Sequence, residues 1–180
     1  MKYTILIIML LLAVPAMAQQ YSTRTGRISF FSETPVENIE AVSNQAAGML
    51  DASSGKFNVQ MLIKSFRFKK RLMEEHFNEN YMESDRYPKA VFDGQITNID
   101  QADLTRDGSY PVTAKGVLTM HGVSRDVAVP GKLTVADGKI TATATFIAKP
   151  ADYKIKIPSL VRKNIAEEIS VTVNLVLHEK

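Results

Sequence analysis

From Thr25 onward, apolar side chains recur at every second position along most of the chain. The clearest run is Ile169, Val171, Val173, Leu175 and Leu177, alternating with Ser170, Thr172 and Asn174; only Val176 breaks the outward face. A period of two with β-branched and leucine residues on one side predicts a half-buried strand. The same pattern predicts strands through Phe57, Val59, Met61 and Ile63, through Ala90, Phe92, Gly94 and Ile96, and through Tyr110, Val112, Ala114, Gly116, Leu118 and Met120. Val123, Val127 and Val129 keep an odd-numbered inner face, and Ile140, Ala142, Ala144, Phe146 and Ala148 make another run. Earlier strands are expected at Thr25–Phe31 and Ile39–Met49, giving about eight in all.

Ser54-Gly55, Asp107-Gly108, His121-Gly122 and Asp137-Gly138 punctuate these runs. Such dipeptides suit tight hairpins because glycine accepts positive φ, and short hairpins force antiparallel neighbours. One stretch has a different period. In Lys70–Met82, Met73, Phe77 and Tyr81 fall at helical spacing, and Pro88 lies just beyond. The spacing predicts one short helix packed on the strands. Between strand and helix the phase slips: Phe57–Ile63 use odd positions, whereas Phe66 and Phe68 are even. A β-bulge near Lys64-Ser65 would turn both rings inward; alternatively the strand ends early and the rings pack beneath the helix.

The first residues read differently. Lys2, the apolar run Ile5–Val14 and the small-x-small Ala16-Met17-Ala18 match a secretory signal peptide (residues 1–18) cleaved after Ala18. The expectation is one exported domain, residues 19–180, periplasmic or secreted, with no stable membrane insertion after cleavage. The chain has no cysteine, which excludes disulfides, a lipidated cysteine at the mature terminus and thiolate chemistry. Its formal charge of +3 gives no electrostatic case for nucleic acid.

Catalytic patterns are lacking too. His76, His121 and His178 are scattered, with no H-x-x-x-H spacing, so no metal site is expected. Glu74-Glu75 and Glu167-Glu168 are adjacent pairs that diverge rather than face one bond. No nucleophile elbow or phosphate-binding loop occurs, so neither an enzyme nor a cofactor is expected. His121, next to Gly122, reads as a corner residue.

The inward face mixes large groups with Gly94, Ala114, Gly116, Ala142 and Ala144. A sandwich uses such alternation to interdigitate its sheets, and a barrel uses it to leave volume empty. The residues alone leave both standing. YPKAVFDG (Tyr87–Gly94) and LTMHGVSRDVAV (Leu118–Val129) resemble the YceI-like family, also described as polyisoprenoid-binding or lipocalin-like proteins. The stretch MEEHFNENYMESDRYPKAVF and the Ala151–Lys154 and Ile157-Pro158 segments fit that resemblance, although Glu75-His76-Phe77 stands where the family often has acid-histidine-leucine. The resemblance implies an all-β, extended eight-stranded antiparallel lipocalin-like barrel with one short helix, an apolar tunnel and no catalytic set. It implies as ligand a long-chain amphiphile, isoprenoid or fatty-acid-like.

Ile169–Leu177 would extend about 30 Å at ~3.3 Å per residue. Tilted by ~40°, that strand gives a wall roughly 23 Å tall around room for one slim ligand. The expected lining is Phe57, Val59, Met61 and Ile63, then Phe66, Phe68 and Phe77 near the helix. Phe92, Ile96, Val112, Leu118, Met120, Phe146, Val171 and Val173 complete it. For a head group the candidate is Arg125. If His121-Gly122 is a two-residue loop, Arg125 faces inward just below the rim, where an unpaired cation would need an anion; a longer loop would turn it to solvent. Lys69-Lys70-Arg71 is either a second anion site or a solvated helix start. Two readings follow: a lipid carrier or store of the cell envelope, and a β-sheet interaction or structural module with a filled interior. A homodimer is compatible with either.

Overall fold

The structure is a computed structural model that describes residues 19–180. The signal-peptide expectation therefore lies outside the described residues. Nine strands form one sheet: β1 (Gln20–Glu33), β2 (Asn38–Asp51), β3 (Lys56–Leu62), β4 (Arg67–Phe68), β5 (Lys89–Ile96), β6 (Gly108–Met120), β7 (Val123–Ala136), β8 (Lys139–Ala148) and β9 (Ile169–Glu179). Every pairing is antiparallel, and β1 pairs with both β9 and β2. That second pairing closes eight strands into a barrel, while the two-residue β4 adds to β2 beside it. The alternation thus located every barrel strand, and closure settles the sandwich-or-barrel question.

Turn chemistry works as the dipeptides suggested at two hairpins. His121 and Gly122 have φ of 52° and 71°, and Asp137 and Gly138 have 50° and 70°. Two successive positive values make the two-residue turn whose twist matches the flanking strands. Met120 accordingly pairs with Val123 and Leu118 with Arg125. Asp107-Gly108 behaves differently. It ends a longer connection that contains a 3-10 turn at Ile99–Gln101, so no tight hairpin forms there.

The phase slip near Phe66 has a physical cause other than a bulge. A 3-10 turn at Ile63–Ser65 interrupts what is in effect one long strand, and β3 and β4 both pair with β2 on either side of it. Ser65 Oγ fixes the turn by donating to the Leu62 carbonyl at 2.6 Å, and it lies 2.7 Å from Ser43 Oγ on β2. Ile63 belongs to this turn rather than to the strand, yet remains fully buried. The helix predicted over Lys70–Met82 is present as α1 (Arg71–His76), continued by a π turn at Phe77–Tyr81.

Side-chain size divides the barrel along its axis. At the end where β9 finishes, Leu50, Leu133, Ile140, Leu175 and Leu177 are all within 1% of complete burial. Ile96, Val112 and Tyr21 join them in a solid plug. Leu175 reaches over two glycines on the neighbouring strands β1 and β2. A β-carbon on Gly48 would stand 3.0 Å from one Leu175 methyl, and one on Gly26 would overlap the other. Glycine here provides a notch for the leucine, and pairing registers shift in β1 on both sides of Gly26.

Gly94 and Gly116 serve neither of the two ends their size suggested. They pair across β5 and β6, so closely that a β-carbon on Gly116 would lie 2.5 Å from Gly94 Cα and nearer still to the Asp93 carbonyl. They make room for backbone, not for a guest. Because main chain cannot give way as a side chain can, Gly116→Val is expected to destabilise by about 1–3 kcal/mol. Urea unfolding would read this as a lower midpoint with an unchanged slope.

Candidate functional site

Above the plug the side chains leave a cavity of about 380 Å³, which begins over Phe57 and Phe92, whose ring centres are 6.3 Å apart, and is bordered at its other end by Phe77 and Tyr81 of the helix. That volume lies within the range of natural small-molecule sites. Ala114 and Ala144 supply part of the free space, as the small inner residues suggested; Ala142 instead belongs to the packed end. The bore is therefore a blind pocket and not a through tunnel.

Of the residues expected to line it, Phe57, Val59, Met61, Ile63, Phe66, Phe68, Phe77, Phe92, Leu118, Met120, Phe146, Val171 and Val173 do border the cavity. Ile96 and Val112 do not. They point inward, but at the level of the plug, where packed neighbours leave no space. Alternation tells which face a side chain takes and says nothing about its height in the barrel.

Four phenylalanines hold the helix over one side of the mouth. Phe77 lies 5.4 Å from Phe30, 5.6 Å from Phe66 and 5.0 Å from Phe68, ring centre to ring centre. Phe30 also meets Phe66 at 5.1 Å and Phe68 at 5.7 Å. Edge-on, tilted and stacked pairs of this kind add about 0.5–1.5 kcal/mol each beyond burial. Phe77→Leu keeps an apolar contact but loses the ring geometry. It is expected to cost about 1 kcal/mol and to speed amide exchange in the helix ahead of the barrel strands.

A second cover comes from residues 150–165, between β8 and β9. Ile155, Ile157, Val161 and Ile165 border the cavity from this segment, along with Pro150 and Asn164. The segment lies across a gap in the wall. β7 and β8 pair only from Gly131–Ala144 to Ala136–Lys139; nearer the mouth, β7 is bonded to β6 alone and β8 to β9 alone. Pro130, which has no N–H to give a neighbour, stands where the two strands part.

Polar contacts tie the covers down. His121 is buried at the β6–β7 turn, with Nδ1 3.0 Å from the Tyr153 carbonyl and Nε2 3.0 Å from Glu83 Oε2 beyond the helix. Its ring also packs 4.6 Å from that of Tyr87. His121 is thus a corner residue that joins the hairpin, the helix exit and the 150–165 segment. Glu37, on the β1–β2 turn, accepts from Lys70 Nζ at 3.0 Å and Asn164 Nδ2 at 3.4 Å. These bonds, that from Lys70 foremost, hold its carboxyl below the usual carboxylate range.

Ser32, Glu37, Gln60, His76, Tyr81 and Asn164 are the polar residues on the cavity border. Burial raises the Tyr81 phenol above its ordinary value, so it stays protonated as a donor. Arg125 takes the inward register that a two-residue turn dictates, opposite Leu118. Its side chain nevertheless lies exposed at the rim, where Nε donates to the Asp152 carbonyl at 3.0 Å. Lys69, Lys70 and Arg71 are exposed, with Lys70 bonded to Glu37 and Arg71 to Glu75. Among the described residues no group of three or more metal-ligating side chains comes together.

Sequence reasoning missed Phe30, which its own strand alternation placed inward with Ile28. It also missed the inner side of residues 150–165, whose irregular backbone carries no periodic signal. No helix of the described residues is long and apolar enough to cross a membrane.

A family model described as the YceI-like domain matches residues 16–177. No curated protein matches the chain in sequence. Among solved structures, a polyisoprenoid binding domain from Saccharophagus degradans, implicated in plant cell wall breakdown, superposes with a TM-score of 0.77 at 14% identity. The alignment covers 91% of this chain and 99% of that one. BcnA of Burkholderia cenocepacia gives 0.70 at 17% identity, covering 84% and 95%. A YCEI protein of Campylobacter jejuni gives 0.62 at 16%, covering 82% and 88%. At such identities the likeness establishes the fold.

Proposed function

The chain belongs to the YceI-like domain family, and from that premise we infer that it binds one long-chain amphiphilic lipid, isoprenoid or fatty-acid-like, inside the barrel. The observation that carries this reading is the apolar cavity of about 380 Å³, walled by phenylalanine, valine and methionine and closed below by the packed end of the barrel. A flexible hydrocarbon tail suits a deep, narrow apolar space. Burying ten methylene equivalents contributes on the order of 8 kcal/mol before ordering costs. The Saccharophagus degradans neighbour, described as polyisoprenoid binding, supports the same class of ligand.

The head group then sits at the rim. Arg125 is the candidate to meet an acidic one, since its guanidinium keeps N–H groups free after the bond to Asp152. The role is carriage or storage in the cell envelope, after export by a leader cleaved behind Ala18; no reaction is assigned to the protein. The packed half of the barrel fits a filled interaction module equally well, but a cavity of this volume has no use in one. A fluorescent long-chain fatty-acid probe is expected to bind with micromolar or tighter affinity, about −8 kcal/mol, and to be displaced by a polyprenol. A probe that stays indifferent to the protein would contradict the reading.

A further inference from the structure

Three of the exposed apolar side chains stand out by degree. Leu160 is 91% exposed, Val36 62% and Leu72 60%, more than any other large apolar residue among the described ones. They come from three separate segments, and all three segments border the cavity mouth. Val36 precedes Glu37 on the β1–β2 turn; Leu72 follows Lys70 at the start of the helix; Leu160 lies a turn before Asn164. Glu37 bonds to both Lys70 and Asn164, so the three segments meet at one point on the rim.

The 150–165 segment carries a second signal. Its inner side chains Ile155, Ile157, Val161 and Ile165 border the cavity. Between and beyond them Lys154, Lys156, Arg162 and Lys163 are exposed, and none of the four is in an ion pair among the described residues. No acid interrupts the run from Lys154 to Ala166. Of the neighbouring acids, Glu37, Glu74, Glu75, Glu83 and Glu168 are bound to cations, whereas Asp152 and Glu167, which flank the run, are in no ion pair among the described residues. One strip of chain is therefore greasy toward the cavity and cationic toward solvent, with a bare leucine at its tip.

We propose that the mouth docks on an anionic phospholipid surface, with Leu160, Val36 and Leu72 entering the interface and the Lys154–Lys163 cations meeting lipid phosphates. Solvated apolar tips beside a run of unpaired cations are what interfacial attachment to a charged bilayer requires. The docked pose places the cavity opening against the bilayer, so a lipid passes between bilayer and barrel without crossing water. That last step rests on the cavity being a lipid site; attachment itself does not.

Vesicle flotation tests the proposal. The parent protein is expected to float with phosphatidylethanolamine–phosphatidylglycerol vesicles, to stay behind with phosphatidylcholine vesicles, and to be released by salt. Arg162→Ser with Lys163→Ser should weaken flotation about thirtyfold, near fivefold for each cation. Leu160→Asp should weaken it comparably. Both variants alter exposed side chains and should bind the fluorescent fatty-acid probe from solution as the parent does. Loss of probe binding by the parent, with flotation intact, would overturn the lipid-site reading and leave docking standing. Docking itself is overturned if the parent ignores anionic vesicles, if the variants float as well as the parent, or if Leu160 cross-links to a second copy or another protein while flotation is absent.

Discussion

Leu175→Ala is expected to lower stability by about 2–5 kcal/mol and to deepen the cavity at the same time. The leucine is fully buried, and its methyl groups fill the notches over Gly26 and Gly48. Two glycines cannot move in to replace them, so the site collapses poorly and the upper half of that range applies. Because Val173, one inward position above, already borders the cavity, the space vacated joins it from below. Thermal unfolding should therefore fall by several degrees, while the longest tail accepted lengthens by a few carbons. A variant as stable as the parent, or one with unaltered tail preference, would show that Leu175 is not the floor.

The opposite substitution acts on function without harming the fold. Ala114→Leu with Ala144→Leu places two isobutyl groups inside the cavity from β6 and β8, the strands on either side of β7. Each adds apolar bulk where there is free volume, so stability should hold within about 1 kcal/mol. Ligand affinity should fall at least about tenfold, because the tail loses methylene contacts worth ~0.8 kcal/mol apiece. Circular dichroism and probe titration on the same sample separate the two effects. Equal affinity in the filled variant would place the ligand elsewhere.

What the residues disclosed follows from what periodicity can encode. A period of two reports only inward and outward, and on that score Phe57 through Val173 were placed correctly. Height along the barrel comes from packing against strands distant in sequence. Ile96 and Val112 therefore looked identical to Phe92 and Leu118 until the plug at Leu133, Ile140 and Leu175 was visible. Gly94 and Gly116 misled for a related reason. Small size is compatible with an empty lumen or with two backbones in near contact, and only the cross-strand register distinguishes them.

The mouth was the least legible part. Residues 150–165 fold as two 3-10 turns joined by extended chain, so their apolar positions obey neither period. Their inner face exists because β7 and β8 part company above Gly131 and leave a gap to be covered. Arg125 illustrates the same limit. The turn dictated its register correctly, but the Asp152 carbonyl that draws its side chain to the rim belongs to that irregular segment.

The central claim is that the upper bore holds an apolar guest. Protein purified without detergent, extracted with organic solvent and examined by mass spectrometry tests this most directly. One long-chain amphiphile is expected in near-stoichiometric yield from the parent, and little from the Ala114→Leu, Ala144→Leu variant. Extracts from the parent that consistently match those of the filled variant would contradict the claim.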